Sequence, residues 1–492
     1  MMPIAKIRSK ISEHRFGRWI GYFASSCISV TLVFVLFKTD PKLGLLIAAF
    51  CIALIMLFLC FYRLEIGIYG MLIFSFLSSF FTRILDGNLP LTTILMLLPF
   101  ILLGILIAKN LISRDKRWFI LHPIFLIYLV IVGYTVAEAF NPNMDSFLGW
   151  LSYFRGILMS VTVLILFLYL FKDIKSIRFF FKFILGIFFI TGLYGCIQQY
   201  FGLTPFETRW LYRMPGALGL FSLPGQGIRK FSFLTDPANF GTLMATAAMG
   251  TLVMISGPFK RSEKGVLVFF TLVIILGMSF SGTRTANIML VAGIALYVIM
   301  TIYKKTTWRL AVASLVVFLL ILYAPIYGNV TINRIRSAFN SPHNDASFDL
   351  RSIHRHEMQP FIHSHPFGNG VNTTMGAGAK YNPHNFLAGF PPDSIYFHIA
   401  LEQGWIGLFL FCVFLFSVLV FSAHYFYKCN NVEIKTYYLS LTTMLFTMML
   451  GAYTQFTFSS IPQNFIFMAF ISCIIKLHTF DTSKHLEIKF IN

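Results

Sequence analysis

Runs of about 20 apolar residues recur along the chain, and each is long enough to cross ~30 Å of hydrocarbon as an α-helix. No water reaches that layer, so a crossing segment must satisfy its own backbone hydrogen bonds, which an α-helix does without help from neighbours. With 57% of its 492 residues hydrophobic and 12% charged, the chain lacks the polar surface that a soluble protein of this length needs. We expect an all-α polytopic membrane protein of about 14 transmembrane helices (12–14). The spans are placed at 19–37, 43–61, 66–84, 91–108, 119–137, 151–171, 179–200, 238–256, 266–282, 285–303, 310–327, 404–425, 436–452 and 461–476. Lys6, Arg8, Lys10, Arg15 and Arg18 precede the first run. That run is longer than a signal-peptide core and has no small-residue cleavage site, so it is read as a retained span.

The positive-inside rule tells the two sides apart. Connections on the N-terminal side, among them AKNLISRDKR, FKDIKSIR, PFKRSEKG and YKKTTWR, collect with the tails 25 of the 39 Lys plus Arg. Both termini are therefore expected in the cytoplasm. Topogenic loops account for most of the net charge of +20, and nucleic acid is not an expected partner. The outer side holds 4 Lys against 10 Arg: Arg83, Arg155, Arg209, Arg213, Arg229, Arg284, Arg334, Arg336, Arg351 and Arg355. Arginine keeps its charge when poorly hydrated, and its planar fork matches phosphate oxygens. An arginine-rich outer face points to an anionic substrate, pyrophosphate or an acidic sugar. The competing account of any single arginine is a lipid headgroup or an Asp or Glu partner.

Two outer segments break the rhythm of short connections, and long ordered loops usually carry function. One runs from about Tyr200 to Ala238 and contains ETRWLYRMPG and KFSFLTDPANFG; the other, Gly328–Asp393, has 66 residues and is strongly polar. The expected organisation is a transmembrane part over 1–327, an outer lobe over 328–393, and a last transmembrane part with a cytoplasmic tail over 394–492. Six of the twelve histidines lie in the lobe. His354 and His356, like His363 and His365, are two apart, which suits ligands on a strand rather than one helical face. No HExxH occurs, and no metal or other cofactor is expected; a divalent ion bridging a pyrophosphate is the lesser alternative. The seven cysteines fall in spans or, for Cys429, in a cytoplasmic loop, which leaves a disulfide framework unsupported.

Several pieces, taken in order, resemble the O-antigen ligase and O-antigen polymerase superfamily. They are FLTDPANFG before a span, SGTRT with Arg284 between two apolar runs, and LRSIHRHEMQPFIHSHPFGNG with Arg351 and His365. The last is PPDSIYFHIALEQGWIGL with Glu402, Gly404 and Gly407. The resemblance covers roughly residues 190–425. Ligase-like relatives carry His-Asn nine residues before the Glu, where this chain has Asp393-Ser394; its own Pro383-His384-Asn385 lies nine residues earlier. An acidic residue at that register looks more like the polymerase branches.

The resemblance implies a GT-C-like architecture in a bacterial cytoplasmic membrane, with the active site facing the outside. It also implies transfer of a glycan from a polyprenyl (undecaprenyl) pyrophosphate carrier to a glycan or lipid-linked acceptor hydroxyl. Attack on the anomeric carbon needs a group to take the hydroxyl proton. The departing pyrophosphate gathers charge that fixed cations stabilise. Arg284 and Arg351 fit the second task and Asp393 the first, and a single displacement inverts the anomeric carbon. Arg209, Arg213, Arg355, His365 and His384 are placed as substrate-contacting residues, with His384 the fallback base and His365 also read as structural. Each assignment has a competing structural reading. Arg284 could cap the turn between two spans, Arg351 could start a short helix and pair with Asp345 or Asp349, and Asp393 or Ser394 could be a helix N-cap. Glu402 is read only as shaping a turn. The alternative within the family is a ligase transferring glycan to lipid A-core; outside it, a lipid-linked glycan flippase, an anion transporter or a membrane scaffold.

Overall fold

The computed structural model describes residues 59–85, 91–113, 122–214, 216–223, 227–326, 328–340 and 346–489. The chain divides into residues 1–67, of which only 59–67 are described, and residues 68–492. The helices, in chain order, are α1 (Leu64–Ile84), α2 (Leu91–Ser113), α3 (Pro123–Ala137), α4 (Phe147–Leu170), α5 (Ile174–Tyr200), α6 (Pro205–Arg213), α7 (Ala217–Phe221), α8 (Pro237–Ile255) and α9 (Arg261–Phe280). They continue as α10 (Arg284–Met300), α11 (Lys305–Tyr323), α12 (Val330–Asn340), α13 (Ala346–Ser364), α14 (Met375–Tyr381), α15 (Ile395–Glu402), α16 (Gly404–Lys428), α17 (Val432–Gly451) and α18 (Gln463–Lys489). A short antiparallel pairing of Ser222–Leu223 with Gly227–Ile228 is the one sheet among the described residues.

The protein is an all-helical polytopic membrane protein: nine of the described helices are long and apolar enough to cross a bilayer. The expected spans 19–37 and most of 43–61 lie outside the described residues. Each later span coincides with a helix. Two of these, α10 and the apolar part of α11 (Thr307–Tyr323), are short of that length. A third, α17, is interrupted by hydroxyl residues, which are buried and bonded: Thr442 donates to Tyr438 O at 2.7 Å and Thr443 to Leu439 O at 3.0 Å.

At the centre is α8, PANFGTLMATAAMGTLVMI, buried over nearly its whole length against α9, α10 and α17. Between helices in lipid there is little hydrophobic drive, so association relies on close packing and hydrogen bonds, which small residues permit. A Cβ on Gly250 would lie 2.5 Å from Met444 Sδ of α17. Ser440 of α17 reaches the Gly250 carbonyl at 3.3 Å, and Thr447 reaches Thr246 at 3.4 Å.

The 328–393 segment is itself largely helical. Arg336 of α12 bonds the carbonyls of Ile321 (2.8 Å), Ala324 and Ile326 at the end of α11 and so ties the lobe to that span. The lobe's core is Leu387 with Phe397 and Leu401, against Met358, Phe361, Ile362 and Phe390, so α13 rests on α15. Arg351 therefore lies within a 19-residue helix rather than at the start of a short one.

Candidate functional site

Arg284 is the first residue of α10 and follows the turn Ser281-Gly282-Thr283. The turn is held from three sides. Arg229 donates from Nε to Ser281 O at 2.9 Å and from a terminal nitrogen to Thr283 Oγ1 at 2.9 Å. Arg334 of α12 donates from Nε to Gly282 O at 3.0 Å. Thr283 in turn donates to Pro237 O at 3.0 Å, so the TDPAN segment locks against the SGTR turn. A Cβ on Gly241 would come within 2.5 Å of Ser281 Oγ, which is why only glycine fits where α8 meets the turn. Because the Thr283 hydroxyl is used this way, it does not cap α10. That leaves the positive end of the helix dipole beside Arg284.

Arg229, Arg284 and Arg334 thus surround one turn. The Arg229 guanidinium is held below its usual range, at about 10. Burial is the main cause, and repulsion from Arg334 and Arg284 adds to it, against the opposing pull of Asp236. It remains charged near neutral pH. Asp236 does not cancel the cluster, since its Oδ1 accepts from Ala238 N and Asn239 N, both at 2.9 Å, as the N-cap of α8. Concentrated like charge of this kind is relieved by a docked anion, and guanidinium forks suit phosphate.

The second part of the site is on the lobe. Arg351 Nε lies 3.5 Å from Asp393 Oδ1, and His354 Nδ1 lies 3.8 Å from Asp393 Oδ2. Asp393 Oδ2 and His354 Nδ1 are buried, and neither makes a hydrogen bond. They face each other at 3.8 Å, beyond hydrogen-bond distance. Of the two candidate N-caps, Asp393 and Ser394, it is Ser394 that caps the helix: its Oγ accepts from Phe397 N at 3.1 Å. Arg351 pairs with Asp393 rather than with Asp349, which is exposed; Asp345 is outside the described residues.

Three consecutive residues after α17 connect the two parts. Ala452 O accepts from Ile395 N at 3.2 Å. The Tyr453 hydroxyl takes a bond from Arg355 at 2.7 Å, with the guanidinium 4.4 Å over its ring. Thr454 Oγ1 lies 2.8 Å from Thr285 Oγ1, next to Arg284. Since neighbouring Cα atoms are 3.8 Å apart, this turn brings Arg284, Arg355 and the residues beside Asp393 into one region.

Glu402 braces the lobe against the spans. It is 1% exposed, and its carboxylate accepts from Asn372 N (2.9 Å), Thr374 N (3.0 Å) and Thr374 Oγ1 (2.7 Å). Its backbone carbonyl accepts from Gly370 N at 2.9 Å. His398 sits alongside, with Nδ1 3.0 Å from Thr374 Oγ1 and Nε2 3.5 Å from Glu402. Gly368 (φ +68°) and Gly404 (φ +67°) meet backbone to backbone, and a Cβ on either would strike main-chain atoms of the other's segment. The glycines of HPFGNG and EQGW are thus two halves of one contact.

The other expected residues fall elsewhere. In α6, Glu207 and Leu211 are buried while Arg209 and Arg213 lie on the exposed face. Glu207 is taken by Gln198 (2.8 Å), by Thr204 and by the buried Arg83 (3.9 Å), which makes Arg83 structural. His365 bonds Ser364 and the Phe361 carbonyl, each at 2.9 Å, and stacks on Phe361. His384 is exposed. His354 and His356 lie on the helix α13, not on a strand, and point to different faces: His354 toward Asp393, His356 to the exterior. Among the described residues no group of three or more His, Cys, Asp or Glu could hold a metal ion.

Residues 267–412, from α9 through the arginine turn and the lobe into α16, match the O-antigen ligase family. No match is found among curated proteins.

The bracing role of Glu402 predicts a stability effect. Hydrogen bonds to a charged group contribute about 1.5–3 kcal/mol each, so Glu402→Ala, which strands two backbone donors and a hydroxyl, should cost more than ~3 kcal/mol. Thermal unfolding of the purified protein should show a clear drop in Tm. An unchanged Tm would mean that Glu402 does not hold the lobe.

Proposed function

We propose that the chain, whose residues 267–412 match the O-antigen ligase family, is a glycosyltransferase of the bacterial cytoplasmic membrane. It polymerises glycan repeat units carried on polyprenyl pyrophosphate. The observation that carries this reading is the convergence of the arginine turn and the Asp393 cluster on the Ala452–Thr454 turn. In the reaction an acceptor oxygen forms a bond to the anomeric carbon as the bond from that carbon to the pyrophosphate oxygen breaks. The hydroxyl proton passes to the Asp393 carboxylate, which His354 and Arg351 flank, and polyprenyl pyrophosphate leaves. Arg229, Arg284 and Arg334 receive the charge that develops on the leaving group, where fixed donors stabilise the transition state most. Back-side displacement inverts the anomeric centre. The guanidinium groups supply the positive charge that a divalent ion would otherwise provide.

An aspartate at the register where ligase-like relatives have histidine favours polymerisation. Transfer to lipid A-core is the second reading, favoured by the family's own description as O-antigen ligase. Asp393→Asn keeps size but cannot take the proton, and loss of a general base typically costs ~10²–10⁴-fold. Chain-length gels at matched protein levels should show short lipid-linked units accumulating and long glycan lost. Long glycan that accumulates on the lipid carrier instead would indicate the ligase reading. A normal ladder would remove Asp393 as the base.

The same reading puts both termini in the cytoplasm and the 328–393 lobe outside. A cysteine placed at Asn340 should react with an impermeant thiol reagent in intact spheroplasts. Protection until the membrane is broken would invert the orientation.

A further inference from the structure

A cavity of about 430 Å³ opens among α2, α3, α4, α14, α15, α16 and α18, and none of Arg229, Arg284, Arg334, Arg351 or Asp393 lines it. Its polar end is formed by Ser152, Tyr153 and Arg155 of α4 with Asn372, Thr374 and His398. Further along, Met159, Leu410, Phe411, Phe414 and Phe467 line it, with Ser160 and Asn464 bonded to each other at 3.1 Å among them. From Gln403 to Phe414 along α16 the cavity runs ~16 Å at 1.5 Å per residue, about half of a ~30 Å hydrocarbon layer.

The charges of this wall are one-sided. Arg155 is the one charged side chain among the described residues lining the cavity, and no carboxylate lines it. The guanidinium meets the Met96 thioether at 3.8 Å. Of the carboxylates behind the wall, Glu402 is occupied by the lobe's N–H groups and Glu138 by Asn141 Nδ2 at 2.9 Å. Just outside, Lys380 and Arg155 both act on Tyr381, whose phenol is held below its usual range first by a hydrogen bond from Ser152. A cavity with a cation at its polar end and aromatic rings beyond suits one hydrocarbon chain with a phosphate at its head.

We infer that this cavity is a second lipid site that holds a single-chain isoprenoid phosphate, with Arg155 on the phosphate and the chain between α4 and α16. The inference rests on the transferase reading, in which the second lipid carries the acceptor glycan. Ile395 and His398 line the cavity, and Asp393 lies just before their helix, so a glycan leaving the polar end emerges near the proposed base.

Gly156 offers a clean test, because it lines the cavity and a Cβ built on it meets nothing within 4 Å. Gly156→Phe should fill the space without moving the backbone, and Arg155→Gln should remove the charge at an exposed position. The probe is polyprenyl pyrophosphate, titrated into the purified full-length protein and counted by native mass spectrometry. Wild type should bind two equivalents, and either variant should weaken one of them at least tenfold. Arg284→Ala should weaken the other. Two equivalents of unchanged affinity in both variants would overturn the inference, as would equal competition by phosphatidylglycerol. A single equivalent lost only in Arg284→Ala would overturn it while leaving the arginine turn intact. A single equivalent lost only in the cavity variants would support the cavity and reject the arginine turn instead.

Discussion

The grip of Arg229 and Arg334 on the Ser281-Gly282-Thr283 turn is the interaction on which the rest of the site depends. It costs the protein the burial of the Arg229 guanidinium and, after that, repulsion among like charges, which together lower the Arg229 value. It persists because the carbonyls of Ser281 and Gly282 and the Thr283 hydroxyl are ordered acceptors at the end of one helix and the start of the next. That grip, together with the Thr283–Pro237 and Thr285–Thr454 bonds, holds Arg284 at the mouth between α9 and α10. With it, a strongly cationic surface is fixed before any substrate arrives, which is what transition-state stabilisation by preorganised charge requires.

The membrane explains why the site is built at helix ends. Within hydrocarbon the helices close their own hydrogen bonds, and α8 and α17 pack through glycine, alanine and threonine, leaving little to recognise a polar ligand. Polar chemistry collects where the chain leaves that layer: the arginine turn, the Ala452–Thr454 turn, and the lobe braced by Glu402. The lobe has only a small apolar cluster of its own. Glu402 and the Gly368–Gly404 contact attach it at one end and Arg334 and Arg336 at the other, and the first two fix the segment around Asp393 relative to the spans.

The parts of this arrangement differ in how far the sequence revealed them. The spans were readable because hydrocarbon thickness dictates run length, and Arg284 because it is a lone cation between two apolar runs. Arg229 carried no such mark: its partners at 281–283 are about fifty residues away, and no local pattern encodes that pairing. Asp393 looked like an N-cap because Asp and Ser cap equally well, and only the coordinates assign the cap to Ser394. Glu402 was visible as a motif, but its purpose depends on backbone groups of Asn372 and Thr374. Arg209 and Arg213 lie on the exposed face of α6, as charge on an amphipathic helix usually does. The cavity at Arg155 arises from seven helices and has no linear signature.

The central claim is that the arginine turn receives a pyrophosphate, and a structure of the protein with bound polyprenyl pyrophosphate tests it most directly. The account predicts phosphate density within hydrogen-bond distance of the Arg284 and Arg229 guanidinium groups, beside the Thr283–Arg284 backbone. Phosphate density confined to the cavity at Arg155, with the arginine turn unaltered and empty, would contradict it.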